Sequence, residues 1–170
     1  MMIEMVVGIS IETSEGSFTA YFSDRGLAQL DFPGVTVGQR TAARFLSAPS
    51  IEKERWHKLT ARADEHVLSA RNPDALPPLD WSRSTLFQRS VWGALLKIDP
   101  GQTKTYSEIA AAVGKPGAAR AVGLACGSNP IPVLVPCHRV IAANGKLGGF
   151  SGGLDWKRRL LALECAAVFS

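Results

Sequence analysis

Residues 105–127 run TYSEIAAAVGKPGAARAVGLACG, a pattern of two short helices punctuated by glycine. Thr105-x-x-Glu108 is a capping box, in which hydroxyl and carboxylate satisfy the first free N–H groups of a helix. Gly114 supplies the left-handed residue that closes it. Lys115-Pro116-Gly117 is a tight turn, and Ala118 to Cys126 restarts a helix that stops at Gly127. Two short helices joined in this way form a candidate helix-turn-helix over about 106–126. Its second helix carries Ala118, Ala119, Ala121, Gly123 and Ala125, with Arg120 as the main long polar side chain. A reader of major-groove base edges needs several Arg, Asn or Gln residues there. Small residues instead allow close backbone approach in a narrow groove, without regard to sequence. An alanine-rich helix packed in a core has the same composition, so both readings stay open here.

Upstream, Thr85-x-x-Gln88 is a second capping box, and Phe87, Val91, Leu95 and Ile98 make an apolar face that ends near Asp99-Pro100-Gly101. Arg71 to Asp80, with Asn72-Pro73 and Pro77-Pro78, has the composition of a linker. Ile51 to Ala70 has a helical apolar stripe at Trp56, Leu59, Ala63 and Val67. Met5–Ile11, Ser17–Phe22 and Gly26–Asp31 are β-rich runs separated by polar or glycine-containing breaks, the pattern of a three-stranded antiparallel meander. Downstream, an apolar strand-like run, Val133-Leu134-Val135, precedes Pro136-Cys137-His138-Arg139. A glycine-rich loop over 148–153 then leads to a last helix from about Asp155. The fold class is therefore α+β: a small N-terminal sheet with a helix (1–80), then a mostly helical unit (81–170).

The charge is divided along the chain. Residues 1–80 hold 8 Lys+Arg against 11 Asp+Glu, a net −3, whereas residues 81–170 hold 11 against 4, a net +7. The second half is suited to face a polyanion, although a solvated basic surface would look the same. No apolar run approaches the roughly 18 residues of a membrane span, and the first residues lack a secretory pattern, so an intracellular, reducing setting is expected. The three cysteines, Cys126, Cys137 and Cys165, are odd in number and lack CxxC spacing, which argues against a disulfide framework and a zinc site.

Two residues invite chemistry. Cys137 sits beside His138 and Arg139, and a thiolate, the reactive form, is favoured by positive charge or an imidazole base. In a regular strand, neighbouring side chains point to opposite faces, so a direct Cys–His pair requires a turn at this point or a bridging water. Glu164, at about 100° per residue, projects from the last helix between Leu160 and Leu161. A carboxylate on that apolar side needs a partner, and a histidine would serve; a frayed, exposed glutamate is the alternative.

Taken in order, Phe87-Gln88-x-x-Val91-Trp92-x-Ala94-Leu95, Thr105-Tyr106-x-x-Ile109-Ala110, Ala119-Arg120-Ala121-Val122-Gly123, Asn129-Pro130, Pro136-Cys137-His138-Arg139-Val140-Ile141 and Ser151-Gly152-Gly153 resemble the O6-alkylguanine-DNA alkyltransferases. The likeness is dense over about residues 80–165 and loose before them. It implies that a single-turnover transfer moves an alkyl group from O6 of guanine, and also O4 of thymine, in duplex DNA onto Cys137. It further implies that His138 takes the thiol proton through a water, that Glu164 orients His138, and that Asn129 braces the turn. Tyr106 would donate to guanine N3, and Ser151, Phe150 and Val140 would meet the flipped base. Arg120 would fill the vacated stack while the second helix lies in the minor groove. No cofactor or metal is implied, because the N-terminal cysteines that hold zinc in some relatives are missing from residues 1–80. The partner would be damaged duplex DNA and no membrane; the protein would act as a cytoplasmic, nucleoid-associated monomer. Phe150 departs from the family's usual tyrosine and loses a phenolic hydrogen bond, while Cys126 adds a second oxidisable thiol. A DNA-binding regulator or damage sensor without chemistry, and a cysteine hydrolase using Cys137 and His138, are the rival readings. The acceptor cysteine speaks against the sensor, and the hydrolase gives Arg120 no role.

Overall fold

The computed structural model describes residues 8–34 and 50–164, the side chains of 50–53 excepted. Strands β1 (Ile9–Thr13), β2 (Gly16–Phe22) and β3 (Leu27–Asp31) form an antiparallel sheet in that order. β1 and β2 alternate as a half-buried sheet should: Ile11, Phe18, Ala20 and Phe22 face the core, and Ser10 and Ser17 face out. Each fully buried large side chain among them contributes about 1.5–3 kcal/mol. β1 reaches Thr13, two residues further than the sequence suggested, because the turn falls on Ser14-Glu15. The first three residues of the strand expected over Met5–Ile11 lie outside the described residues.

β3 is buried at every position although it ends the sheet. Its free edge is covered by the rest of the chain, as an exposed edge would invite aberrant pairing. The Leu27 N–H donates to Pro78 O (2.7 Å), Asp80 N–H to Leu27 O (2.8 Å) and Leu30 N–H to Pro130 O (2.9 Å). Helix α1 (Ser50–Leu68) lies against β1, with Trp56, Ala63, Val67 and Leu68 buried.

The second half is mostly helical, completing the expected α+β class. Helices α2 (Leu86–Leu95) and α3 (Tyr106–Ala112) both begin at capping boxes, Thr85 with Gln88 and Thr105 with Glu108. α4 (Ala119–Gly127) packs on α2 and α3, and the Trp92 indole N–H donates to Ala125 O at 2.8 Å. A two-stranded parallel pair, β4 (Lys104–Thr105) and β5 (Val140–Ile141), ties the start of α3 to the segment after Cys137. Helix α5 (Leu154–Leu163) is the last element among the described residues. One continuous apolar core runs from Ile11 and Phe18 through Trp92 and Val122 to Leu160. Among the described residues no helix is long and apolar enough to cross a membrane.

Candidate active site

The run before Cys137 is not a strand. Pro132 and Pro136 lack the N–H that a ladder needs, so residues 131–135 close local turns instead. Val135 N–H donates to Ile131 O (3.0 Å) and Cys137 N–H to Val135 O (2.8 Å). Val133 takes φ +71°, a left-handed value that a β-branched residue adopts only when its surroundings impose it. Asn129 imposes much of that shape. Its Oδ1 accepts from Ile131 N–H (3.0 Å), and its Nδ2 donates to Val135 O (2.8 Å) and to Cys137 Sγ (3.1 Å). Cys137–Arg139 then makes one 3₁₀ turn, a departure from strand geometry that still leaves His138 without a direct hydrogen bond to Cys137 among the described residues.

That turn sends His138 and Arg139 inward to α5. His138 is fully buried, and its Nε2 lies 2.8 Å from Glu164 Oε1. Because the partner is a carboxylate, Nε2 carries the hydrogen, which leaves Nδ1 as the acceptor. Nδ1 has no hydrogen-bond partner among the described residues. Arg139, 3% exposed, donates from Nη2 to Glu164 Oε1 (2.7 Å), from Nε to Oε2 (3.0 Å) and from Nη1 to Ile98 O (2.6 Å). Burial alone would raise the Glu164 carboxyl, but hydrogen bonds and charge from His138 and Arg139 hold it down at about 2. Burial also lowers the His138 imidazole, against the pull of Glu164, so the ring is a neutral base at pH 7.

Cys137 itself is 3% exposed, and burial pushes its thiol up to about 11 despite the Asn129 hydrogen bond and the nearby Lys157 ammonium. The sulfur is thus sealed from solvent, and desolvation outweighs the local charges that favour a thiolate. Lys157 was not anticipated. It is fully buried on α5, where Nζ donates to Val140 O (2.6 Å), to Leu147 O and to Gly149 O (3.5 Å), and burial pushes it down to about 8. It thus ties the glycine loop to the segment after Cys137. Its spacing of seven from Glu164 places both charges on one apolar stripe of α5, a signal available in the sequence. Arg139 gave no such signal beyond its adjacency to His138.

Beside this cluster lies an open cavity of about 640 Å³, lined by Tyr106, Arg120, Gly123, Gly148, Phe150 and Ser151 among others. Gly148 takes φ +69°, and a Cβ there would fall 2.5 Å from Tyr106 Oη, so glycine is needed for the phenol to fit. Burial above all raises the Tyr106 phenol, which therefore keeps its proton to donate. Arg120 is exposed at the rim on α4. Val140, expected to touch substrate, is fully buried in β5 and does not line this cavity. Cys126 is buried near Cys137; Cys165 lies outside the described residues.

The family model described as "6-O-methylguanine DNA methyltransferase, DNA binding domain" matches residues 86–166. A methylated-DNA–protein-cysteine methyltransferase of Methanosarcina barkeri is 41% identical over 157 residues, covering 91% of this chain and 94% of that protein. The protein of the same name from Mycolicibacterium paratuberculosis is 63% identical over 82 residues, 48% of this chain and 50% of its own, so the match spans half of that relative's length. The Mycobacterium tuberculosis protein OGT, solved in complex with DNA, superposes with a TM-score of 0.69 at 40% identity, covering 92% of this chain and 91% of that one.

Proposed function

Because the chain belongs to the methylated-DNA–protein-cysteine methyltransferase family, we propose that it repairs alkylated DNA by moving the alkyl group from O6 of guanine to Cys137 Sγ, once per molecule. The carrying observation is that one turn holds Cys137 against Asn129 and sets a neutral, Glu164-bound imidazole at the next residue.

The thiol must lose its proton during the reaction, because it is protonated beforehand. His138 Nδ1 takes it through a bridging water, and the imidazolium so formed is stabilised by Glu164 at 2.8 Å. Sulfur then attacks the alkyl carbon in line. The C–S bond forms as the C–O6 bond breaks, and guanine leaves with that electron pair. Tyr106 donates its phenolic hydrogen to the base and relieves the developing charge. The thioether product is not cleaved by water, so the protein is spent.

An O6 adduct inside a duplex cannot reach a sulfur set behind Asn129, so the nucleotide rotates out at a cost of a few kcal/mol. The cavity by Tyr106, Ser151 and Phe150 takes the base, and exposed Arg120 fills the stack. Ala119 and Gly123 on α4 allow close approach in the minor groove. In this reading residues 81–170 bind DNA and transfer the alkyl group, residues 1–80 support them, and O4-alkylthymine is a second substrate. With excess duplex carrying labelled O6-methylguanine, label transfer should plateau at one equivalent per protein. Continued turnover would contradict the proposal.

A further inference from the structure

The N-terminal sheet reaches the active site through the end of β3, and this contact has a shape. Phe32, 4% exposed, packs on Trp156 of α5 with the rings tilted by 38° (centroids 4.8 Å apart) and meets Phe150 edge-on at 5.6 Å. Its ring lies against the backbone of Gly152; a Cβ on that glycine would fall 2.5 Å from Phe32 Cε2. Next to it the Leu30 N–H holds Pro130 O, in the turn that Asn129 shapes. β3 and the Phe32 that follows it therefore touch both walls of the site, the Asn-Pro turn and the glycine loop. Between them lies a second cavity of about 200 Å³, lined by Asp31 and Phe32 on one side and by Asn129, Pro132, Ser151 and Gly152 on the others.

The stereochemistry of displacement gives this cavity a use. Sulfur, carbon and O6 must be collinear, so any substituent on the reacting carbon projects sideways from that line. Asn129 contacts Sγ and also lines the cavity, and Ser151 lines both this cavity and the one by Tyr106. Asn129 and Ser151 thus set the chamber under β3 next to both the acceptor sulfur and the cavity by Tyr106. A methyl group does not need that chamber. An apolar cavity of about 150 Å³ holds a benzene ring, so the space suffices for an aryl substituent, and the Asp31 carboxylate in its wall disfavours an anionic one.

Resting on the proposed transfer, we infer that Phe32 is a specificity-determining residue: its ring, seated on Gly152, sets how large an uncharged adduct the protein accepts. The N-terminal unit is then a selectivity element as well as a support.

The test compares single-turnover rates on duplexes carrying O6-benzylguanine or O6-methylguanine. Wild type, Phe32→Leu, Gly152→Ala and the double variant are each assayed on both. Phe32→Leu opens the chamber and should raise the benzyl-to-methyl ratio by on the order of tenfold, the size of effect that small volume changes in a pocket produce. Gly152→Ala crowds the ring and should lower the ratio, and Phe32→Leu in the same chain should restore it. Because each preparation meets both substrates, the ratio is independent of the folded fraction; should Phe32→Leu not fold, Gly152→Ala tests the same contact. Equal ratios in all variants, with methyl transfer intact in the wild type, would overturn the inference alone. A wild type that transfers neither group would instead sink the proposed function, and this inference with it.

Discussion

Glu164→Gln removes one charge and almost no volume from a buried cluster, and its consequences can be worked from the geometry. The carboxylate accepts from His138 Nε2 (2.8 Å), from Arg139 Nη2 (2.7 Å) and from Gly101 N–H (3.3 Å). Arg139 is 3% exposed, so the glutamine variant strands a guanidinium without its counter-charge. Breaking a buried pair from one side costs about 3–5 kcal/mol. At roughly 2–4 °C per kcal/mol for a chain of this size, melting should fall by about 6–20 °C at pH 7, read by circular dichroism. Removing both charges, in Glu164→Gln with Arg139→Met, should recover most of that loss while leaving transfer impaired, because His138 still lacks its anion. The acid limb supplies a second check. Glu164 titrates at about 2 in the folded chain against an ordinary 4.5. Its stabilisation is therefore complete above about pH 4.5 and drains away as pH falls towards 2, so the wild type and Glu164→Gln should converge there. A glutamine variant melting within 2 °C of the wild type, or a double variant no better than the single, would refute the reasoning.

Burial keeps His138 neutral below its ordinary 6.5, so the transfer rate should stay level through pH 7 and fall only below pH 6.5; a midpoint at or above 6.5 would contradict that role. Lys157→Met strands the carbonyls of Val140 and Leu147, at about 1–3 kcal/mol for each unsatisfied group, and removes the cation that eases ionisation of Cys137. Both melting temperature and transfer rate should drop, and a variant that melts like the wild type would remove Lys157 from the account. Arg120→Ala should slow transfer from duplex DNA far more than from the free alkylated base; equal losses on both would leave exposed Arg120 without its proposed role.

The features legible in the sequence were those set by neighbours along the chain. The capping boxes at Thr85 and Thr105 start their helices because hydroxyl, carboxamide and carboxylate act within one turn. The three strands follow from β-rich runs set between polar or glycine-containing breaks, and the buried Glu164 follows from helical spacing. What escaped depends on turns and packing that no period records. The apolar run at 133–135 suggested a strand, but two prolines and the Asn129 bridge turn it, with Val133 at φ +71°. The β4–β5 pair is two residues long on each side, too short for any period to register. The state of Cys137 was misjudged for the same reason: its neighbours in sequence favour ionisation, whereas the walls packed over it from elsewhere raise its thiol to about 11. The seating of Phe32 on Gly152 joins residues 120 positions apart and leaves no local trace.

The acceptor atom is best tested by mapping the spent protein. After reaction with O6-methylguanine duplex, mass spectrometry of the digested chain should find one methyl group on the peptide bearing Cys137. Cys126, the other buried thiol among the described residues, should be unmodified, and Cys137→Ala should remain unmethylated throughout. A methyl group on Cys126, or methylation that survives Cys137→Ala, would contradict the account.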